Sequence, residues 1–225
     1  MARPSDPLAR AKLLSAAEAE FVEHGLERAK VSDITARAGM SKGSFYLHFE
    51  SKPLIFRELV GRLVERLAAL IDDGLEHCAS VADGDIRARL DRWVNLDVQI
   101  FECLWEHRGL IRLLLEGGSG SQFCYLVDEL MERTAHKARH FLEAGIRDGL
   151  YRQDLDLDLT ETFIAGAYDR LARTIVRETS RPDLRHKLER IQHLVLLGIA
   201  SPDLRASFGA LRGEASASPE LPSPH

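Results

Sequence analysis

The chain has 225 residues, 45% of them apolar and 29% charged, with a formal net charge of −5 at pH 7. This is the balance of an ordinary globular protein, long enough to bury one large core or two smaller ones. It excludes a membrane-spanning design, because no run approaches ~18 uninterrupted apolar residues, and a disulfide framework or structural zinc, because Cys78, Cys103 and Cys124 contain no C-x-x-C pair.

The N-terminus, MARPSDPLARAK, lacks the apolar centre of a secretory signal, so a cytoplasmic protein is expected. A first helix is expected to start at Pro7, where a missing N–H costs nothing, with Asp6 as its cap and Gly25 as its end. Leu8, Ala9, Leu13, Ala16, Ala17, Phe21 and Val22 give it an apolar stripe.

Residues 31–56, VSDITARAGMSKGSFYLHFESKPLIF, carry the densest information. Val31, Ile34 and Ala38 recur at helical spacing, and Gly39 stands where the chain must reverse with a positive φ. Ser41 is placed to cap the next helix, KGSFYLHF. Phe45 and Phe49 (i, i+4) point inward there, leaving Lys42, Ser44, Tyr46 and His48 outside. Two short helices at a steep angle, the second offering donors from its N-terminal end, fit a DNA major groove and its phosphates. The segment reads as a helix-turn-helix. Ser51 looks like the cap of a fourth, long helix running from the first unit into a second.

Beyond residue 83 the pattern is helical throughout: 84–103, 104–116, 122–147, 159–179 and 184–200. The breaks are Gly117–Ser121, the DGLYRQDLDLDL connector and Ser180-Arg181-Pro182. The expected fold is all-α: a helix-turn-helix module over residues 1–52, a helical body over 53–212, and a Pro/Ser/Ala-rich disordered tail over 213–225.

The acidic total hides a division. Residues 1–60 carry nine Lys/Arg against eight Asp/Glu, a net of +1, while the remainder carries 21 against 27, a net of −6. Within 28–52, Arg28, Lys30, Arg37, Lys42 and Lys52 face Asp33 and Glu50, a local +3. One basic end on an acidic body suits a protein that touches phosphates there only.

Phe21…Gly25, Val31-x-x-Ile34, Ala38-Gly39-Met40-Ser41-Lys42-Gly43-x-Phe45-Tyr46-x-His48-Phe49 and Lys52-x-Leu54 together resemble the DNA-binding domain of the tetracycline-repressor (TetR-type) family of bacterial regulators. The resemblance covers residues 8–57; beyond it the agreement lies in the helix count and the GLYRQD-type connector. It implies about nine helices, a homodimer joined through the last two, and an effector pocket in the C-terminal domain. It also implies that Ser41, Lys42, Gly43, Ser44, Tyr46 and His48 face the groove and its phosphates, and that Lys52 takes a backbone phosphate. Lys30 departs from the pattern: the family has a capping Thr or Ser there, and a lysine can reach a phosphate instead.

Candidate pocket residues are the amphipathic and aromatic groups of the middle helices: Trp93, Asp97, Phe101, Trp105, Phe123, Tyr125, Phe163 and Tyr168. Asn95 and Gln99 are further polar options. The implied ligand is a largely apolar small molecule. The candidate dimer surface is Phe163, Ala167, Leu171 and Ile175 on one helix, with Ile191, Leu194 and Val195 on the next, which is apolar over more than one face.

Other motifs fall away. His136 and His140 stand at i, i+4, but Lys137 and Arg139 make this a basic face rather than a metal site. Asp154-x-Asp156-x-Asp158 opens like a calcium loop, yet Leu159 and Ala165 occupy the positions that need Gly and Glu. Gly117–Ser121 lacks a phosphate-loop lysine. The cysteines read as buried and inert rather than redox-sensing. No nucleophile–base pair, metal set or cofactor loop supports an enzyme. The expected function is a ligand-responsive, homodimeric repressor on a palindromic operator, without cofactor; the alternative is an architectural or protein-binding regulator without an effector.

Overall fold

The computed structural model describes residues 7–79, 86–115, 121–199 and 202. The Asp6 cap, the glycines of the 117–121 connector and the tail beyond 212 lie outside them. Among the described residues nine α-helices follow in order: α1 Pro7–Arg28, α2 Val31–Arg37, α3 Lys42–His48, α4 Lys52–Ala79, α5 Ile86–Glu106, α6 Arg108–Leu115, α7 Tyr125–Arg147, α8 Leu157–Ile175 and α9 Leu184–Ile199. A 3₁₀ turn, Ser121–Phe123, precedes α7. The all-α expectation holds, with no strand among the described residues.

Helix boundaries follow local chemistry. Gly25, at φ 78° and ψ 159°, breaks α1 three residues before its last turn closes, where a stop was expected. Lys30 occupies the N-cap of α2 and makes no side-chain capping bond, while Ser32 turns to Asp33. Gly39 adopts φ 68°, and the Met40 N–H donates back to the Thr35 carbonyl at 2.8 Å, closing the reversal between α2 and α3. Ser41 then accepts from the Ser44 N–H at 3.3 Å. Farther on, Asp156 caps α8 by accepting from Leu159 N–H at 3.0 Å, so the middle aspartate of the Asp154-x-Asp156-x-Asp158 pattern serves a helix end.

The expected boundary at residues 52/53 falls at the start of α4, and the apolar core does not break there. One cluster runs from Leu13, Phe21, Ile34 and Phe45 through Ile55 and Phe56 to Leu110, Leu114 and Phe123. Phe56 joins the two ends: its ring lies 5.6 Å from Phe21 and 5.5 Å from Phe123. Helix α6 also rests on α1. A Cβ on Gly109 would stand 2.7 Å from both methyls of Val22, so a larger residue there would force Val22 to move. Beside it, His107 Nδ1 lies 3.2 Å from Glu18. Val22 and Leu8, placed on the buried stripe by periodicity, are in fact exposed.

Candidate nucleic-acid interface and effector cavity

Helix α3 is anchored through one face. Phe45 is fully buried and meets the Phe49 ring at 5.9 Å. From α1, the Arg10 guanidinium lies 4.3 Å above the Phe49 ring, donates to the His48 carbonyl at 2.8 Å and pairs with Glu58. One arginine thus ties the C-terminal end of α3 to both α1 and α4. The opposite face is open. Ser41, Lys42 and Gly43 are exposed, and Tyr46 is 54% exposed with its ring edge-on to Phe45 at 5.3 Å.

Several expected contacts change. The Lys52 ammonium donates to three carbonyls at the end of α1, Leu26 and Glu27 at 2.9 Å and Ala29 at 2.6 Å. All three of its donors are engaged in this helix-end cap, which competes with the phosphate role expected for it. Arg37 is likewise committed, to Glu20 at 2.7 Å and Glu23 at 2.8 Å. Of the basic groups counted at this end, Arg28, Lys30 and Lys42 are exposed without an ion pair among the described residues, and Arg28 donates to the His24 carbonyl at 3.0 Å. Ser44 is half-buried and shares its hydroxyl with Ser41 at 3.0 Å. His48 is half-buried with Nδ1 enclosed and without a hydrogen-bond partner among the described residues, so at most one ring nitrogen faces outward.

Leu47 was missed. It is 79% exposed on the outer face of α3 between Tyr46 and His48. Polarity drew attention to its neighbours, yet an exposed leucine on a groove-sized helix is suited to a thymine methyl. Its signal was the register of Phe45 and Phe49, which leaves position 47 on the far side.

The body encloses a cavity of about 380 Å³ bounded by α4 to α9. Of the expected residues, Trp93, Asp97, Phe101 and Tyr168 line it. The other four do not. Trp105 is buried beneath Arg108, whose guanidinium lies 4.2 Å from its ring centre. Phe123 is spent on Phe56, while Tyr125 and Phe163 point outward. Periodicity gives a helix its apolar faces but not the face that meets a void.

The cavity wall is mostly apolar, and among its polar groups one cluster joins three helices. Asp97 of α5 accepts hydrogen bonds on Oδ2 from the Tyr168 hydroxyl of α8 and from Gln192 Nε2 of α9, the latter at 2.8 Å. Burial pushes the Asp97 carboxyl up from 3.8 to about 6, against the two hydrogen bonds that favour its charge. Burial and the neighbouring Asp97 also hold the Tyr168 phenol well above its usual range. Gln192 is a second omission: it occupies the buried stripe Leu188, Gln192, Leu196, and a glutamine there was the available signal.

Residues 13–59 match the family model described as bacterial regulatory proteins, tetR family. Over 159 residues the chain is 31% identical to the HTH-type transcriptional repressor KstR2 of Mycobacterium tuberculosis, covering 69% of this chain and 75% of that protein. The chain belongs to the TetR family. The structure of that ketosteroid transcriptional regulator, KstR2, superposes with a TM-score of 0.63 at 27% identity, covering 89% of this chain and all of the other. The fatty acid degradation regulator FadR of Bacillus halodurans shares the fold at 22% identity, with a TM-score of 0.63 over 86% of this chain and 97% of that one. This regulator is therefore a helix-turn-helix transcription factor in which α2 and α3 form the reading unit.

In this TetR-family regulator the outer surface of α8 and α9 carries large exposed apolar side chains. Phe163 is 66% exposed and Leu194 70% exposed, with Leu159 and Leu197 also outward. The expected dimer set divides here. Ile175 is fully buried and Leu171 packs on the Phe101–Trp105 cluster, so both serve the subunit's own core. Val195 lines the cavity. Ala167 and Ile191 are half-buried. The i, i+4 arithmetic drew one stripe through residues that belong to two sides of the helix.

The remaining motifs resolve simply. Glu20, Glu23 and His24 cluster closely enough to suggest metal ligands, but both carboxylates are taken by Arg37. Asp154 pairs with Arg152, and Asp158 with Arg139. Burial pushes the Cys103 thiol up, away from the reactive thiolate, and Cys124 donates to the Leu114 carbonyl at 3.2 Å. The Cys78, His136 and His140 side chains lie outside the described set. Among the described residues, no helix is long and apolar enough to cross a membrane.

Proposed function

We propose that this regulator is a homodimeric repressor that binds a roughly palindromic operator through two copies of α3 and is released by a largely apolar small molecule. The observation that carries this reading is shared helices. Helices α4 and α6 line the cavity through Leu63, Leu67, Ile111 and Leu114, and the same two helices hold α1 through Phe56 and Gly109. A ligand that repositions them moves the head. Two heads set about 34 Å apart for successive major grooves lose their match when that spacing changes. In the dimer, Phe163 and Leu194 of each copy are covered by the other, which removes an apolar patch that a lone subunit would expose.

On DNA, Lys42 sits in the first turn of α3, where its ammonium and the adjacent helix end both act on a phosphate, and Lys30 supplies a second cation. Tyr46 and Leu47 face base edges. The test is selection from random duplexes with the purified protein. A two-fold symmetric motif is expected; salt-sensitive binding with no motif contradicts the proposal and favours an architectural binder.

A further inference from the structure

The polar group in the cavity is one-sided. Both donors to Asp97, Tyr168 and Gln192, land on Oδ2, and Oδ1 accepts no hydrogen bond from the described residues although Asp97 lines the cavity. The charged groups around it make the imbalance larger. Asp97 of α5 shares the lining with Glu161, Asp169 and Arg173 of α8. Arg173 is held by Asp169 at 2.8 Å, and Glu161 is 3.5 Å from Arg139. No cation among the described lining residues is therefore available to Asp97. Its carboxyl is half ionised near pH 6 and mostly ionised at neutral pH, and it is half-buried with two neutral donors and no ion pair among the described residues. Aromatic rings complete the surroundings. Phe101 and Tyr168 lie 6.0 Å apart, and Trp93 lies 6.5 Å from Tyr151, all four on the wall.

We infer that the cavity takes a lipophilic cation, an apolar amine whose charged nitrogen meets Asp97 Oδ1 and whose body fills the space among Trp93, Phe101 and Tyr168. This rests on the effector reading above and gives it a chemical class. The ammonium supplies the missing counter-charge and donates to the open oxygen, a charge-assisted bond in a low-dielectric site. The ring faces add attraction for a cation near their centres. A fatty carboxylate fits the same space but sets a second negative charge beside Asp97.

The probes are 1-decylamine, 1-decanol and decanoate, titrated into the full-length protein at pH 7.5 by calorimetry, with Trp fluorescence as a second signal. The amine is expected to bind at least ~10-fold more tightly than the alcohol, with decanoate weakest. Asp97→Asn should bring amine and alcohol within ~3-fold of each other, chiefly by weakening the amine. The wild-type protein alone provides an independent readout: between pH 7.5 and 5 amine affinity should fall, as Asp97 gains a proton, while alcohol affinity stays level. Equal binding of amine and alcohol, or tighter binding of decanoate, overturns the cation assignment but leaves the cavity as an effector site. Binding of none of the three overturns both, and operator binding measured in parallel shows whether the protein was folded.

Discussion

The head and the body of this regulator are built from the same material, amphipathic helices around aromatic anchors, yet they differ in how much of their work is written locally. In the head, each functional side chain is placed by neighbours a few residues away: Gly39 sets the turn, Ser41 the cap, and Phe45 with Phe49 the register. In the body, Asp97, Tyr168 and Gln192 come from three helices and up to 95 residues apart. A reading surface for DNA is a property of one short segment; a cavity is a property of how six helices fail to fill space.

The largest effect that would break this contrast is in the head's anchor. Phe45→Ala should cost about 3–5 kcal/mol and abolish DNA binding together with the head's fold, because a fully buried ring is removed from the core shared with Phe49. Thermal denaturation followed by DNA titration checks it; retained operator affinity would mean that α3 is held by other means. Asp97→Asn tests the body's polar group. Its folded carboxyl value, about 6, lies above the ordinary 3.8, so wild-type stability from this group is fully present below pH 3.8 and lost as pH rises through 6. The variant should therefore be more stable at neutral pH, by no more than about 3 kcal/mol, with the gain vanishing near pH 4. A gain independent of pH would contradict an ionised, uncompensated Asp97.

Smaller changes sharpen the comparison within the head. Lys52→Ala should lower stability by about 1–3 kcal/mol, since three carbonyls lose their donor, while the slope of log K against log salt stays unchanged. A reduced slope would return Lys52 to the phosphate role that its position suggested. Lys42→Ala should do the reverse, leaving the melting temperature within a degree or two and reducing the salt slope of the dimer by about 1.8, one phosphate contact in each copy.

Lys52 shows why the legible region was not fully legible. Its place after α3 implied a phosphate, but the α1 end left carbonyls without partners once Gly25 broke the helix, and the nearest ammonium closed on them. Such competition is settled by distance in space, which spacing in sequence does not carry. Ile175 and Val195 erred in a related way. Each lies on an apolar stripe, and the stripe says that a side chain is covered without saying whether its own subunit or a partner covers it. Fold class, helix order and the reading helix were readable because they depend on periodicity and caps. The cavity wall was half readable, Trp93, Asp97, Phe101 and Tyr168 among eight candidates, because amphipathic residues inside apolar stripes mark polar points but not their partners.

In the proposed dimer, two reading heads are held one helical turn apart by a common body. The most direct measurement takes a duplex recovered by selection and inserts five base pairs, about half a turn, between its half-sites. The account predicts a loss of affinity of at least ~100-fold, because the second head then faces away from its groove. Affinity unchanged by the insertion would show that each head binds alone, and would contradict it.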